Sequence, residues 1–303
     1  MKPHSRIRLM TKSIDLFGVL LVDKPVGPTS HDVVARARAA LGTRRIGHTG
    51  TLDPFASGLV VLCVGAATRI ASLLSALPKR YEAEMTLGSG TTTDDPTGEI
   101  VAETDDWDRL GADRISESLV GQIGPLDQRP PAFSAKKVRG ERMYRLARAG
   151  RAVGVDPVRV MVHELEVTAI RPPVVRFVIL CSAGTYVRAI ARDAGERLGV
   201  PAHLSALRRT HIGDLAVADA VALAGIDDPA AVRRAWRAPL EVLHHMPHFN
   251  VDGQGAGDLA CGRATPSPGG EQACGLGVAA RAGRLVALVR CDNGWLRPLK
   301  VFP

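Results

Sequence analysis

Short apolar runs separated by polar turns dominate the first two thirds of the chain and predict buried strands. The clearest runs are Val19–Val22, Leu59–Val64 and Val174–Cys181, each bounded by glycine, proline or polar residues. That length and setting are typical of strands covered on both faces. Tyr81–Leu87 alternates apolar and polar residues instead, and this period of two predicts a strand with one face in water.

Two segments carry the period of an amphipathic helix. Thr29 or Ser30 is the expected cap of the first, because Asp32 follows at the spacing of a capping box. Gly42 suits the left-handed position that ends a helix. The second helix follows the Val174–Cys181 strand, with Thr185 as its expected N-cap. Strands that alternate with helices predict an α/β (mixed α+β) domain with a central mixed sheet.

The pattern changes towards the C-terminus. His244, His245 and His248 lie in or just after Pro239–Pro247, but the prolines and the lack of an acidic partner favour a linker over a metal site. Residues 248–303 are rich in glycine, with short apolar runs at Leu285–Leu288 and Leu299–Phe302. They predict a β domain of about sixty residues that is marginal alone and leans on the first. We therefore expect a tail at 1–15, a large domain at 16–243 and a small β domain at 244–303.

Composition excludes several classes of protein. The chain has 303 residues, 46% of them hydrophobic, as in ordinary globular proteins. No apolar run approaches the ~20 residues that span a membrane, and the basic N-terminus lacks the apolar core of a signal peptide. Five cysteines without a CxxC pair argue against a zinc site and against a disulfide framework. We expect a cytoplasmic protein that does not cross a membrane.

Arg129–Arg151 is the most unbalanced segment by charge. It holds eight basic residues and one acid, Glu141, in a chain whose net charge is +8. Its second half has a helical pattern in which Arg142, Arg145 and Arg148 form a stripe along one side. Solvated surface helices usually mix charges of both signs, so a stripe of one sign favours phosphate binding.

Gly47–Phe55 joins the first helix to the Leu59–Val64 strand and has almost no side chain that can fill a core. Pro54 forces Asp53 into an extended conformation, so the loop presents one imidazole, from His48, and one carboxylate. A simple turn that begins at Asp53 is the plainer interpretation of such a cluster. However, nine residues are more than a minimal turn needs, and two arginines precede them.

Two other polar features are unusual for their setting. If Thr185 is the N-cap, Arg188 lies in the first helical turn, where the dipole disfavours a cation by about 0.3–1 kcal/mol. It is therefore either an exposed arginine that tolerates the penalty or the partner of a carboxylate from another segment. The loop Thr91–Gly98 contains Asp94 and Asp95, and because no histidine accompanies them we interpret the pair as a solvated turn rather than a metal site.

Several of these stretches resemble, in the same order, motifs of the TruB family of tRNA pseudouridine synthases. GHTGTLDPFASG resembles the catalytic loop of the family, and GVLLVDKP followed by TSHD resembles its first motif. QRPPAFSAKK resembles the RNA-gripping arm, and CSAGTYVRAIARDAGERLG with HLSALRRT resembles the motif whose arginine pairs with the catalytic aspartate. The resemblance runs from about Gly18 to about Ile212, and the C-terminal part faintly resembles a PUA RNA-binding module.

The resemblance implies the pseudouridine synthase fold, with a catalytic domain at 16–243, a basic insertion at about 124–155 and a PUA-like β domain at 244–303. It implies that uridine 55 in the T-arm loop of tRNA is isomerised to pseudouridine after the base has left the stack. It implies neither a cofactor nor a metal, and we expect a monomer.

The resemblance also assigns roles to residues. Asp53 is the expected nucleophile, Arg188 its ion-pair partner, and Tyr81 the residue that stacks on the flipped base and assists proton transfer. The implied substrate-binding residues are His48, Lys24, Pro25, Tyr186, Leu207, Arg142, Arg145 and Arg148.

Two other functions stay open at this point. A non-catalytic RNA-binding or RNA-folding protein needs only the basic arm and the C-terminal module. Such a protein gains nothing from a carboxylate such as Asp53 beside phosphates, because the two charges repel. A generic hydrolase is a third possibility, but the sequence lacks a Ser/His/Asp set and a paired-carboxylate signal. Asp53 is therefore the residue that discriminates among the three.

Overall fold

The computed structural model describes residues 17–131, 137–138, 141–142, 156–270 and 273–303. The helices in these ranges are α1 Ser30–Leu41, α2 Ala71–Ala76, α3 Ala112–Val120, α4 Val187–Leu198, α5 Pro229–Arg234 and α6 Gly253–Ala260. The strands are β1 Gly18–Lys24, β2 Ile46–His48, β3 Ser57–Val64, β4 Lys79–Leu87, β5 Ser89–Thr91, β6 Ile100–Glu103, β7 Gly124–Gln128, β8 Lys137–Val138, β9 Glu141–Arg142, β10 Val158–Arg171, β11 Val174–Cys181, β12 Ala202–Ile212, β13 Leu215–Ala216, β14 Val221–Ala222, β15 Trp236–Arg237, β16 His248–Asn250, β17 Thr265–Pro266, β18 Ala273–Arg281, β19 Arg284–Asp292 and β20 Trp295–Val301.

A large mixed sheet forms the centre of the first domain. Its strand order is β14-β1-β3-β12-β4-β11-β10-β7, and the short strands β2, β13 and β15 pair with β3, β12 and β1. Most neighbours are antiparallel, whereas β12 runs parallel to β3 and β14 runs parallel to β1. The predicted strands are all present. β4 shows the expected alternation, since Tyr81, Ala83, Met85 and Leu87 are buried and Glu82 is exposed.

Helix α1 has the predicted caps at both ends, whereas α4 begins at a different residue from the one predicted. Thr29 caps α1, forms a capping box with Asp32, and Gly42 ends the helix in the left-handed conformation. The predicted N-cap of α4, Thr185, is wrong by one residue, because Tyr186 occupies that position and makes no side-chain cap. A contact with a distant strand, described below, fixes the start of this helix instead.

Elements pack on both faces of the central sheet. One face is covered by α1, α3 and α4, whose apolar side chains form a single core cluster with Leu20, Val22, Val60 and Leu62. The opposite face, which includes Val19 and Leu21, packs against a 3₁₀ helix at Gly65–Ile70, against α2 and against the C-terminal sheet. The sheet is therefore buried from both sides.

The C-terminal part is a second sheet with strand order β16-β18-β19-β20-β17 and with α6 beside it. Val278, Leu285, Leu288 and Phe302 belong to the core cluster of the first domain, and Phe302 stacks on Phe17 at 5.4 Å. The C-terminal sheet thus packs against the first domain, as its small size predicts. Because the two parts share a core, the boundary between 243 and 244 stays a prediction.

The interpretation of Pro239–Pro247 as a linker is wrong. Val242 and Leu243 are buried in the shared core, and the imidazole of His244 lies 2.8 Å from the carboxylate of Asp214. The acidic partner that seemed to be missing comes from the turn after β12, thirty residues earlier along the chain. The segment therefore contributes to the junction between the two sheets.

The predicted helical stripe is wrong at Arg142. This residue lies on β9, which pairs antiparallel with β8, so that Lys137 is opposite Arg142. Two residues, one of them glycine, separate the strands in sequence, which is the spacing of a tight hairpin. Arg145 and Arg148 lie outside the described residues. No helix in the part of the chain that the structure describes has the length and apolarity needed to cross a membrane.

Candidate active site

Six of the predicted site residues line one cleft of about 460 Å³. The cleft is formed by β2, by the loop after it, by β4, by the start of α4 and by β12. These six residues, brought together from five elements, are His48, Asp53, Tyr81, Tyr186, Arg188 and Leu207. Their side chains are separated by up to 159 positions in sequence, so the fold and not local spacing assembles the site.

The loop that carries Asp53 is fixed to the start of α1 by two hydrogen bonds of Leu52. The hydroxyl of Ser30 accepts from the backbone nitrogen of Leu52 at 2.9 Å and donates to its carbonyl at 3.2 Å. Gly58, the second residue of β3, has a φ of +105°, which is unfavourable for residues other than glycine. A Cβ atom there would lie 2.3 Å from the carbonyl oxygen of Arg209. The last glycine of the motif therefore permits the close approach of β3 and β12.

Lys24 supports the loop from outside the cleft, and Pro25 follows it in sequence. The Lys24 side chain is fully buried, and its Nζ donates to the carbonyls of Pro25 and Pro28 at 2.9 Å, with Pro54 at 3.5 Å. Burial lowers the pKa of Lys24 to about 8, against the attraction of Asp53. Pro25 itself is exposed. Neither residue lines the cleft, and only Lys24 contributes to its support, by holding the three carbonyls in place.

Sequence reasoning missed Arg209, which is 1% exposed and lies under the same loop. Its guanidinium donates to the carbonyls of Leu59 at 2.7 Å, Gly50 at 3.1 Å and Thr51 at 3.3 Å. It also lies beside the Tyr81 phenol, which it faces across the paired strands β12 and β4. Arg209 thus joins the loop that carries Asp53 to the strand that carries Tyr81.

The predicted contact between Arg188 and Asp53 is present. The Nε of Arg188 lies 3.1 Å from Oδ2 of Asp53, and Arg188 is the second residue of α4, as its place in the first turn requires. The arginine side chain is 5% exposed, whereas the aspartate side chain is 35% exposed. The cation is therefore enclosed by protein, while the carboxylate faces the cleft.

A second carboxylate, from Asp95, holds the same arginine. Nη1 of Arg188 donates to Oδ2 of Asp95 at 3.0 Å and to the carbonyl of Thr93 at 2.8 Å. The other oxygen of Asp95 accepts from the hydroxyls of Thr93 and Thr97 at 2.6 and 2.5 Å. The interpretation of Asp94 and Asp95 as a solvated turn is therefore wrong. Their acidic side chains are directed at arginines of α4, which the sequence spacing does not reveal.

Burial dominates the acidity of Asp53. It raises the pKa of the carboxyl above its ordinary value, while Arg188 opposes the shift, Asp95 adds to it, and Lys24 and Arg209 oppose it. A carboxylate that is poorly solvated is a stronger nucleophile and base than one in water. The same environment disfavours the ionised form of Asp53 in the folded protein, so ionisation of this carboxyl lowers the free energy of unfolding.

Aromatic and aliphatic groups form the rest of the cleft. Tyr81 and Leu207 are each 8% exposed, and burial raises the pKa of the Tyr81 phenol, so that it is neutral near pH 7. His48 lies at the end of β2, edge-on to the ring of His31 with centroids 5.4 Å apart. Burial, His31 and Arg209 lower the pKa of His48, which keeps the imidazole neutral at that pH. Apolar walls around one carboxylate suit a flat, uncharged ring.

Gln128, at the end of β7, fixes the start of α4. Its amide nitrogen donates to the carbonyl of Tyr186 at 3.0 Å, and its amide oxygen accepts from the Tyr186 nitrogen at 2.7 Å. Gln128 is fully buried. This two-point contact explains why α4 begins without a side-chain cap and how Tyr186 is held at the cleft wall.

Replacement of Gln128 by methionine should therefore lower stability. The change keeps the side-chain volume but leaves the partly buried N–H of Tyr186 without its acceptor, which costs about 1–3 kcal/mol. The Tyr186 carbonyl loses the Gln128 amide but still accepts from the backbone nitrogens of Ala189 and Ile190. Chemical denaturation measures the loss. Gln254→Met, at an exposed position of α6, is the matched control and should have the stability of the wild type. Equal stability of both variants would show that the Gln128 contacts contribute nothing.

Comparisons with known proteins agree with this geometry. The model of the TruB family pseudouridylate synthase N-terminal domain matches residues 38–187. The tRNA pseudouridine synthase B of Thermobifida fusca is 43% identical over 298 residues, which cover 94% of this chain and 98% of that protein. The protein of the same name from Geobacillus thermodenitrificans is 45% identical over 246 residues, covering 77% and 80%.

A similar fold is found among solved structures. A chain in the structure of an H/ACA RNP bound to a substrate RNA containing 2′-deoxyuridine has a TM-score of 0.73 and 25% identity, covering 99% of this chain and 89% of that one. A Cbf5-Nop10-Gar1 complex gives a TM-score of 0.72 at 26% identity. The expected fold class is confirmed, with the C-terminal sheet as a PUA-like β domain. This chain belongs to the TruB family of pseudouridylate synthases.

Proposed function

We propose that this chain converts uridine to pseudouridine at position 55 in the T-arm loop of tRNA. The observation that carries the proposal is the Asp53–Arg188 pair, in which a partly buried carboxylate faces a cleft and its cation is buried behind it. The family membership and the names of the relatives support the reaction and the RNA class. We propose that the protein acts as a monomer in the cytoplasm, without a cofactor.

The proposed reaction rearranges one nucleotide without adding or removing atoms. The N-glycosidic bond breaks, the base turns, and a carbon–carbon bond forms between the ribose and the base. A proton leaves the carbon of the base that becomes bonded, and the freed ring nitrogen gains one. Asp53 attacks an electron-poor carbon and later leaves, which divides one difficult step into two easier ones. Arg188 holds that carboxylate ionised and aimed at the cleft.

The remaining residues receive and orient the base. An enzyme that acts on a base must take it out of the stack, at a cost of a few kcal/mol. Tyr81 stacks on the flipped base and assists proton transfer, while Leu207 and Tyr186 line the pocket. His48, neutral and at the end of β2, helps to displace the base from the RNA. A cleft of about 460 Å³ has room for one nucleotide.

Pseudouridine mapping on a T-arm hairpin tests the proposal directly. The protein should convert the target uridine and leave a hairpin with cytidine at that position unmodified. An RNA-binding or RNA-folding protein, the main alternative, would bind both hairpins and modify neither. Binding without any pseudouridine would therefore remove the catalytic assignment and favour that alternative.

The basic segment Arg129–Arg151 gives a separate prediction. If it grips RNA phosphates, binding should weaken with salt at a log–log slope of about −0.7 to −0.9 per neutralised phosphate. Replacement of Arg142, Arg145 and Arg148 by alanine should reduce the slope by roughly one to three units, with a smaller effect on turnover of bound RNA. Titration of one hairpin at several salt concentrations measures the slopes. Equal slopes would mean that the RNA is held elsewhere.

A further inference from the structure

Helix α4 presents two arginines, one turn apart, to two adjacent aspartates. Arg188 contacts Asp95, and Arg192 donates from Nη1 to Oδ2 of Asp94 at 2.9 Å. The side chains of Arg192 and Asp94 are 21% and 16% exposed, so this second ion pair is well shielded from water. The first pair extends to Asp53 in the cleft, whereas nothing in the proposed chemistry uses the second.

An unusual backbone conformation makes the double contact possible. Adjacent side chains in an extended segment point to opposite sides, so both carboxylates could not reach one helix. Asp94 has a φ of +58°, in the left-handed region that aspartate tolerates better than most residues other than glycine. This conformation turns the chain so that both Asp94 and Asp95 face α4. The Arg192 contact offsets the strain of that conformation.

Arg192 is itself held by several groups. Its Nε and Nη2 donate to Oδ1 of Asp193 at 2.9 and 2.7 Å, and Nη2 also donates to the carbonyl of Arg129 at 3.0 Å. On the other side of the pair, the carbonyl of Asp94 accepts from the backbone nitrogen of Leu204 on β12 at 3.1 Å. The ion pair therefore ties the loop between two rigid elements, α4 and β12.

We propose that Arg192 and Asp94 are positioning residues for the proposed reaction. Their ion pair fixes the turn at Thr93–Asp95, so that the Thr93 carbonyl and the Asp95 carboxylate hold Arg188 in line with Asp53. This proposal rests on the proposed function and adds a second, more distant ion pair to the groups that aim the catalytic carboxylate. Neither residue touches the cleft, and both act through Asp95 and Arg188.

Kinetics of three variants on the T-arm hairpin test the proposal. Arg192→Met removes the cation, and Asp94→Asn removes the charge while it keeps a residue that tolerates the left-handed backbone. Each should lower kcat about ten- to a hundredfold with KM nearly unchanged, because a small displacement of a catalytic group has such effects. Arg197→Met removes an exposed arginine from the same helix and should leave kcat unchanged.

The pH dependence separates positioning from a merely structural role. The charged groups that face Asp53 are Arg188, Asp95, Lys24 and Arg209. Arg188 lowers the pKa of Asp53, so a less firmly held Arg188 should let that pKa rise further. The acidic limb of kcat should therefore move to higher pH in Arg192→Met and Asp94→Asn, and should stay in place in Arg197→Met. The kcat of the double variant should be no lower than that of the slower single variant, because both substitutions remove the same ion pair.

A measurement without turnover completes the test. The carboxyl carbon of Asp53 can be titrated by NMR in the wild type and in Arg192→Met, with the signal assigned through Asp53→Asn. A higher pKa in Arg192→Met supports the proposal, even if the wild type forms no pseudouridine, a result that would overturn only the proposed function. An unchanged pKa of Asp53, or wild-type kcat with a lower melting temperature alone, would overturn the positioning role.

Discussion

The Asp53→Asn variant is expected to form no pseudouridine while it binds a T-arm hairpin within a few-fold of the wild type. Asparagine has the same shape as aspartate and keeps the cleft intact, but its amide is not a nucleophile. Where a single group carries the chemistry, its removal costs a factor on the order of 10⁴ or more. Single-turnover assays with excess enzyme measure the rate, and a filter-binding titration measures the affinity.

The same variant should be more stable than the wild type at neutral pH. Burial raises the pKa of Asp53, so the folded state binds this proton more tightly than the unfolded state does. The stability that this proton contributes is fully present below the unfolded value of about 3.9 and is lost as the pH rises through the folded value. Asparagine removes that dependence, and Arg188 keeps Asp95 as its partner.

Melting temperatures of both proteins across this pH range check the sign. The difference in favour of Asp53→Asn should be largest at neutral pH and should vanish in acid, where both side chains are uncharged. Asp127→Asn is the control, since Asp127 is an exposed carboxylate paired with Arg159 at 2.9 Å. It should keep full activity and stability. Turnover by Asp53→Asn above background would end the nucleophile assignment.

The parts of the site that the sequence predicts are those carried by one segment. Apolar runs predict β1, β3 and β11, because burial of a whole strand requires a continuous apolar stretch. The loop with Asp53 stands out because two glycines, a proline and isolated polar groups cannot fill a core. The position of Arg188 in a first helical turn, against the dipole, correctly indicates a carboxylate partner from elsewhere.

The parts that the sequence does not predict depend on partners far along the chain. Asp95 looks like a turn residue, because its role appears only when Arg188, 93 positions later, lies beside it. Gln128 gives no local signal at all, since its amide is used by the backbone of Tyr186 on another element. One feature of the sequence could have identified Arg209 as a buried residue of the site. Strand alternation places it on the same buried face as Leu207, where an arginine needs several acceptors.

Arg188→Lys should lower kcat by about a hundredfold or more, although the charge is kept. The guanidinium contacts Asp53 through Nε and contacts Asp95 and the Thr93 carbonyl through Nη1, at fixed angles. An ammonium is a single point with a shorter reach, so it can satisfy one carboxylate only by leaving the other. Arg176→Lys, at an exposed arginine 2.8 Å from Glu84, is the control and should keep wild-type kcat.

Arg188→Met separates the catalytic effect from the structural one. It leaves the Asp95 carboxylate, which is 6% exposed, without its cation, and an unpaired buried charge of this kind costs about 3–5 kcal/mol. Adding Asp95→Asn removes that charge, so the double variant should recover much of the free energy of unfolding. It should not recover pseudouridine formation, because Asp53 still lacks the cation that holds it. Recovery of both stability and turnover would show that Arg188 serves the fold alone, and that Asp53 is aimed by the loop that carries it.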